Sequence, residues 1–438
     1  MASSRLLRAG AAPLTRRALA TALAALPLGG VVEAKKPKRN AQPEHNVRGK
    51  KAIMCVNGVT KRVAKRARKK YLKRGATRGA CQPNGCAPDS DTATCAAAGI
   101  CGDVLNNCGQ TVSCGCSSSQ QCCNGVCVSA IWANQTTFGP GSGSGQFTSP
   151  QHIALTTDAR TAFITTDDSP HVSVWTRPNA TSLNWAPQTQ FGALGDFISP
   201  DGIALTSDAR TALIVDIANE RVSAWIRPSA GSTDWIFQTN FGAPGDFSFP
   251  RGIALSPDGR TAWISNPSSD RISIWTRSGA TTTDWANQTT FGASGSGSGQ
   301  LDGPFDVAIS PDTLTAFVAD NLNNRVSVWT RPNATSTTWT NQTTFGADVL
   351  VSAVAIAVAA DLRTVWVTDG LSSLISVWAR PTATSTAWAN VASFGANGSG
   401  PSQLWDPVGV TVTPDGATAY VADFNNSRVS IWAATCPA

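Results

Sequence analysis

A tryptophan that returns at a nearly fixed interval constrains this chain more than any other feature. Short β-branched runs of the form Arg-Val-Ser-Val-Trp close at Trp175, Trp225, Trp275, Trp329, Trp378 and Trp432, a period of 49 to 54 residues. A second Trp follows ten residues later in five copies, at Trp185, Trp235, Trp285, Trp339 and Trp388, and a Phe-Gly pair follows each of these. Self-similarity at a period near 50 is the signature of stacked supersecondary units, each burying its apolar faces against its neighbours.

Each copy reads as four short strands. The first is apolar, as in Gly202-Ile203-Ala204-Leu205 and Asp306-Val307-Ala308-Ile309. A turn such as Ser256-Pro257-Asp258-Gly259 reverses the chain into the second strand. The Arg-Val-Ser-Val-Trp run is the third and Trp-Ala-Asn-Gln-Thr-Thr-Phe or a variant is the fourth. Apolar residues on both strand faces suit blades held between other blades. The repeat opens with an isolated fourth strand at Trp132–Phe138 and ends on an unaccompanied third strand at Trp432, so these two are expected to complete one blade and close a ring. By the same alignment Cys127 and Cys436 occupy the positions of the adjacent Asn179 and Ala180, which predicts a disulfide in place of the missing peptide link.

The G-I-A-L-S-P-D-G-R inner strand, followed by a strand ending in Asp or Asn and then N-x-R-V-S-V-W, resembles the NHL-repeat family of six-bladed β-propellers over residues 132–432. The resemblance implies an all-β six-bladed propeller spanning 129–438. Two copies depart from the pattern: His171 and Leu374 stand where Arg is expected, and the second of these copies lacks the Pro-Gly lead-in.

Upstream, charge and cysteine are concentrated. Residues 1–80 hold 21 of the 35 Lys and Arg but only Glu33 and Glu44 among the acids, a net +19, which leaves −12 for the remainder of a chain whose total is +7. Arg5, Arg8, Arg16 and Arg17 precede an apolar run, so residues 1–34 read as a signal peptide, Tat-like around Arg16-Arg17 or of the Sec type. The run is too short and too rich in Pro and Gly for a transmembrane anchor, and a secreted or extracytoplasmic location follows. Residues 35–51 read as a basic linker, and 52–81 as a basic hairpin-helix module turning at Asn57-Gly58. Its helix, expected from the spacing of Val63, Ala67 and Tyr71 and stopped by Gly75, would present Lys65, Arg66, Arg68, Lys69, Lys70, Lys73 and Arg74 to an anionic envelope polymer. Nucleic acid is a poor fit, because aromatic residues for base stacking are few. This module resembles one seen in exported bacterial proteins, and the resemblance implies a Cys55–Cys81 disulfide. Residues 82–128 read as a disulfide module; neither zinc-type CxxC pairs nor histidines occur there.

The chain offers little for catalysis. Its three histidines are His45, His152 and His171, so a histidine triad cannot be assembled. His152 and Asp306 are the residues expected to face a central channel, with Gly202, Gly252, Ala353 and Gly409 as the equivalents of His152. Asp167, Asp168, Asp216, Asp270, Asp320, Asp369 and Asp423 gather at one end of the ring, beside the Gly141–Gly145 and Gly295–Gly299 turns, which read as flexible. Weak metal candidates are therefore His152, Asp306, Asp216, Asp320, Asp369 and Asp423, with Ca²⁺ as the ion and structural turn carboxylates as the plainer alternative. The sequence points to a non-catalytic, cofactor-free protein that binds a protein or glycan through propeller loops. A metal-dependent lyase or lactone hydrolase and a structural cell-surface component are the alternatives.

Overall fold

The computed structural model describes residues 51–56, 59–64, 68–73, 77–78, 102–105, 111–114, 120–123, 126–129, 131–139, 147–167, 170–192, 195–243 and 245–435. The chain divides into two compact units, residues 1–85 and 86–438. In the first, Lys51–Val56 pairs with Val59–Ala64 and with Thr77–Arg78. Val56 lies opposite Val59, the register a two-residue Asn57-Gly58 connection requires. The helix is shorter than its spacing suggests: it covers Arg68–Leu72, and Val63 belongs to the preceding strand, opposite Ala52. A β-branched residue in a paired hairpin strand gains more from the ladder than from helical periodicity.

The second unit carries a six-bladed β-propeller, each blade a four-stranded antiparallel sheet. The innermost strands are Pro150–Leu155, Pro200–Leu205, Ile253–Leu255, Pro304–Ile309, Ala353–Val358 and Pro407–Val412, and these define blades 1 to 6. Each inner strand lies against those of the blades before and after it, and the sixth returns to the first. Blade 6 is completed across the whole chain. Its third strand, Arg428–Thr435, pairs along its length with Ile131–Phe138, from Val429 opposite Phe138 to Thr435 opposite Ile131. Closure leaves the ring without an open end.

The core is divided among the six seams between blades, one apolar cluster to each. The repeated aromatics explain this partition. The Phe that ends each fourth strand stacks on the second Trp of the following blade, as in Phe191–Trp235 (4.6 Å, 17°), Phe241–Trp285 (4.7 Å) and Phe345–Trp388 (4.6 Å). Trp132 takes this role in blade 6 and stacks on Phe394 at 5.0 Å, although it lies at the far end of the sequence from Trp432. The Gly after each Phe has φ between +77° and +100°. At Gly242 a Cβ would enter the Phe247 ring, so both backbone and packing demand glycine there.

Arginines brace the other end. Arg177, Arg227, Arg277, Arg331 and Arg380 donate Nε to the carbonyl of the left-handed residue in the first turn of their blade at 2.7–2.8 Å. All five also lie over the second Trp of their own blade at 4.6–5.0 Å, as Arg177 does over Trp185. Burial lowers the Arg277 guanidinium to about 10 against the pull of Asp284 and Asp258. The fourth strands are wetter than their sequence suggests, because they are the outer edges: in Ala186–Phe191 only the Phe is buried.

Candidate functional site at the loop face

In an antiparallel four-stranded blade, the start of the inner strand and the turn after the second strand share one end of the ring. The residues expected to face the channel sit towards that end, each at the third position of its inner strand. His152 of blade 1 reaches across to Asp306 of the opposite blade 4, with Nε2 to Oδ2 at 3.4 Å. Asp306 is almost fully buried, and also accepts from its neighbour's N–H, Val307, at 2.8 Å and from Ile356 N of blade 5 at 2.9 Å. Beside it, Arg251 of blade 3 donates Nε to Asp201 of blade 2 at 2.8 Å and lies 4.5 Å over the Phe305 ring. Four side chains from four blades thus bolt the centre at this end.

Glycines let the blades approach closely enough for this. Gly202 N donates to Arg251 O and Gly252 N to Phe305 O, both at 3.0 Å, and a Cβ on Gly252 would collide with Asp306. Blade 5 follows the same plan with an offset. Thr368 Oγ1 accepts from Ala355 N as Ser265 Oγ accepts from Gly252 N, so the counterpart of His152 is Ala355 and not Ala353. The missing Pro-Gly lead-in shifts the alignment there by two residues.

Charges at the bolt are mutually dependent. Burial alone would lower the His152 imidazole, but the Asp306 charge and hydrogen bond, with Asp201 beyond, outweigh both burial and Arg251 and raise it. Asp406 is raised by burial, with Arg251 opposing. The second imidazole nitrogen, Nδ1, is buried without a partner. Past the bolt the inner strands line a channel of about 280 Å³, whose other end is ringed by the half-buried Leu155, Leu205, Ile309, Val358 and Val412.

The remaining carboxylates are drawn into their own loops. Asp320 accepts from Asp302 N (2.8 Å), Asn323 Nδ2 (3.0 Å) and Arg325 Nε (2.7 Å). Asp423 repeats this with Trp405 N (2.7 Å), Asn426 Nδ2 (3.0 Å) and Arg428 Nε (2.7 Å). Asp216 takes Ser199 N at 3.1 Å and Asn219 Nδ2, while Asp369 takes Val351 N at 2.9 Å and Ser352 N at 3.1 Å. All four are buried. Blade 3 holds Asn266 at this position, accepting from Ser248 N, whereas Asp270 lies four residues on and accepts from Gly303 N. Among the described residues no group of three or more His, Cys, Asp or Glu is arranged to hold a metal. A resident metal ion of the kind the propeller lyases imply does not fit His152 and Asp306. They offer one imidazole and one carboxylate, and both carboxylate oxygens already accept chain N–H groups.

The Gly295–Gly299 turn is pinned, contrary to its composition. Arg325 donates to Ser296 O at 2.7 Å, Asn323 to Gly295 O at 3.0 Å, and Gln300 Oε1 accepts from Gly297 N at 2.8 Å. Gly141–Gly145 and Asp168 lie outside the described residues, as do Lys65, Arg66, Arg74, Cys81 and Cys436. Lys69, Lys70 and Lys73 are exposed at or just beyond the short helix that begins at Arg68. Cys55 lies on the first strand of the hairpin, and Cys127 lies on Val126–Ser129, where its backbone is opposite Cys122.

The loop face carries one feature the repeat conceals. Around the bolt stand exposed apolar side chains: Ile198 (56%), Phe249 (51%), Leu322 (64%), Val351 (51%), Leu371 (76%) and Trp405 (52%). All lie in loops leading into inner strands or in turns after second strands. Phe249 has φ +57° immediately before Pro250, a conformation costly for a bulky residue and disfavoured before proline. The loops vary from copy to copy, so repeat alignment does not reveal the crown; apolar residues interrupting Gly/Ser/Asp-rich loops are the signal that could have.

No protein-family profile matches this chain, and no curated protein matches it. Among solved structures, it is similar to a functionally unknown protein from Desulfotomaculum acetoxidans at 18% identity and TM-score 0.47, covering 65% of this chain and 82% of that one. Hydrazine synthase of Kuenenia stuttgartiensis aligns at 14% identity and TM-score 0.43, covering 65% and 95%. A streptogramin B lyase aligns at 12% identity and TM-score 0.45, covering 69% and 98%.

Proposed function

We propose that the chain is an exported binding protein whose propeller captures a protein partner on its loop face. The exposed apolar crown carries this reading. Exposed apolar side chains gathered on the loops of one end of a ring suit an interaction site, and aromatic anchors such as Trp405 and Phe249 supply most of the energy in such contacts. The bolt below gives the crown a rigid base. On this reading the basic head, with Lys69, Lys70 and Lys73 exposed, holds the protein against an anionic envelope polymer.

The test is capture from the envelope fraction by the full chain, against Leu371→Asp and Trp405→Ala. Both positions are exposed, so the variants should keep the parental melting temperature and lose the captured protein. Capture unchanged by either substitution would move the interface off the loop face. The metal-dependent lyase or hydrolase alternative finds no ligand set among the described residues, since His152 and Asp306 do not fit a metal. Elemental analysis after purification without chelators addresses it, and one tightly held metal per chain would revive it.

A further inference from the structure

The opposite end of the ring holds a cavity that the repeat does not explain. It lies at the closing seam between blades 6 and 1 and measures about 510 Å³, inside the roughly 300–1,000 Å³ span of small-ligand pockets. The equivalent cavity between blades 2 and 3 is about 180 Å³.

One substitution, one re-aimed side chain and the strand exchange account for the difference. Between blades 2 and 3, Ser207 Oγ donates to Pro257 O at 3.3 Å and Gln238 Nε2 donates to Thr281 O at 2.8 Å, so the gap is laced from both sides. At the closing seam, Pro414 replaces Ser207 and has no hydroxyl to donate. Gln135, the counterpart of Gln238, turns its amide back to Ala133 O at 3.0 Å. Blade 6 also has no third-to-fourth strand link of its own, because its fourth strand comes from the other end of the propeller sequence.

The walls that remain are polar on two sides. Asp158 and Asp415 each commit Oδ1 to their own turn, to Thr156 Oγ1 and Arg160 N in one and to Thr413 Oγ1 and Ala417 N in the other. Both side chains are exposed at the cavity, which leaves their Oδ2 atoms available. Burial pushes Asp158 up, yet the Thr156 and Arg160 hydrogen bonds outweigh it and hold the carboxyl below its usual range, so it is ionised at neutral pH. Arg177 is fixed in the wall by bonds to Ala159 O (2.7 Å) and Ser182 O (3.0 Å). Leu183, 43% exposed, and Pro414 add apolar surface.

We infer that the closing seam between blades 6 and 1 is a saccharide-binding site. Paired carboxylate acceptors suit the vicinal hydroxyl donors of a sugar ring, the Gln135 amide can serve a ring or hydroxyl oxygen, and Leu183 with Pro414 suits the C–H face of the ring. This site is separate from the loop face and does not depend on the protein-capture reading.

The experiment is a broad glycan microarray probed with the full chain, followed by titration of the best free oligosaccharide into wild type, Asp415→Asn and Leu183→Trp. Asn keeps the Oδ1 acceptor that the turn uses, and position 183 is exposed, so both variants should keep the wild-type melting temperature. Loss of one charge-assisted contact should weaken binding about tenfold in Asp415→Asn. Filling the cavity should abolish it in Leu183→Trp. Absence of binding to any glycan on the array overturns the inference, and so does binding that either variant leaves intact.

Discussion

His152 and Asp306 meet although 154 residues separate them in sequence, and their pairing makes the centre of the ring sensitive to pH. The His152 value is raised on folding, so its contribution to stability is complete below its ordinary value of about 6.5 and is lost as pH rises through the raised value. A His152→Gln variant should therefore fall furthest below wild type in melting temperature near about pH 5.5 to 6, and the gap should narrow in alkaline buffer. A gap independent of pH would mean that the imidazole contributes by packing alone. Asp306→Ala should be the harsher change, costing about 3–5 kcal/mol, because it strands His152 and two buried N–H groups together. Chemical denaturation of the two variants side by side measures that difference. From the sequence these two residues could be named as facing the channel, but Asp201 and Arg251 could not. Those two stand at equivalent positions in neighbouring copies with opposite charge, and a repeat comparison treats such variation as drift when it is an ion pair across a seam.

At the scale of the strand and turn, what repeats was legible and what differs was not. The two Trp, the Phe-Gly and the Arg of each copy form one interlocked unit, with Phe stacked on the next blade's Trp and Arg spread over its own. Periodicity exposes such a unit because the same geometry imposes the Trp and Phe-Gly in all six blades and the Arg in five, Ala434 standing in its place in blade 6. Loop conformation follows no such rule: Gly295–Gly299 reads as slack from composition and is held by Arg325, Asn323 and Gln300. The Phe-Gly step gives a sharp test. Gly242→Ala must place a Cβ at φ +86° and inside the Phe247 ring, so it should cost more than the roughly 1–2 kcal/mol of a left-handed alanine alone. Gly231→Ala, on a link with open space around its Cβ position, should be nearly silent. Urea unfolding of the pair separates a conformational demand from a general intolerance of substitution.

Over the whole molecule, stability depends on one join. Every seam buries its own apolar cluster, and the two that flank blade 6 each take one aromatic, Trp132 or Phe138, from the Ile131–Phe138 strand paired with Arg428–Thr435. The pairing runs to the last described residue, where Thr435 Oγ1 donates to Ile131 O at 2.9 Å. Cys436 follows at once and Cys127 lies four residues before Ile131, so a bridge between them would fix the join covalently. We expect non-reducing peptide mapping to recover Cys127 joined to Cys436. The hairpin register sets Cys122 opposite Cys127 as the rival partner, and a Cys122–Cys127 peptide would end the proposal. If the bridge is present, it closes a loop of about 300 residues and should contribute several kcal/mol by restricting the unfolded chain, so Cys436→Ser should melt well below wild type under oxidising conditions. Added reductant should then bring wild type down toward the variant while leaving the variant's transition largely in place. The eight-residue ladder between the two ends supports the ring with or without the bridge, whereas deletion of residues 131–138 removes the ladder itself and should abolish the cooperative transition altogether.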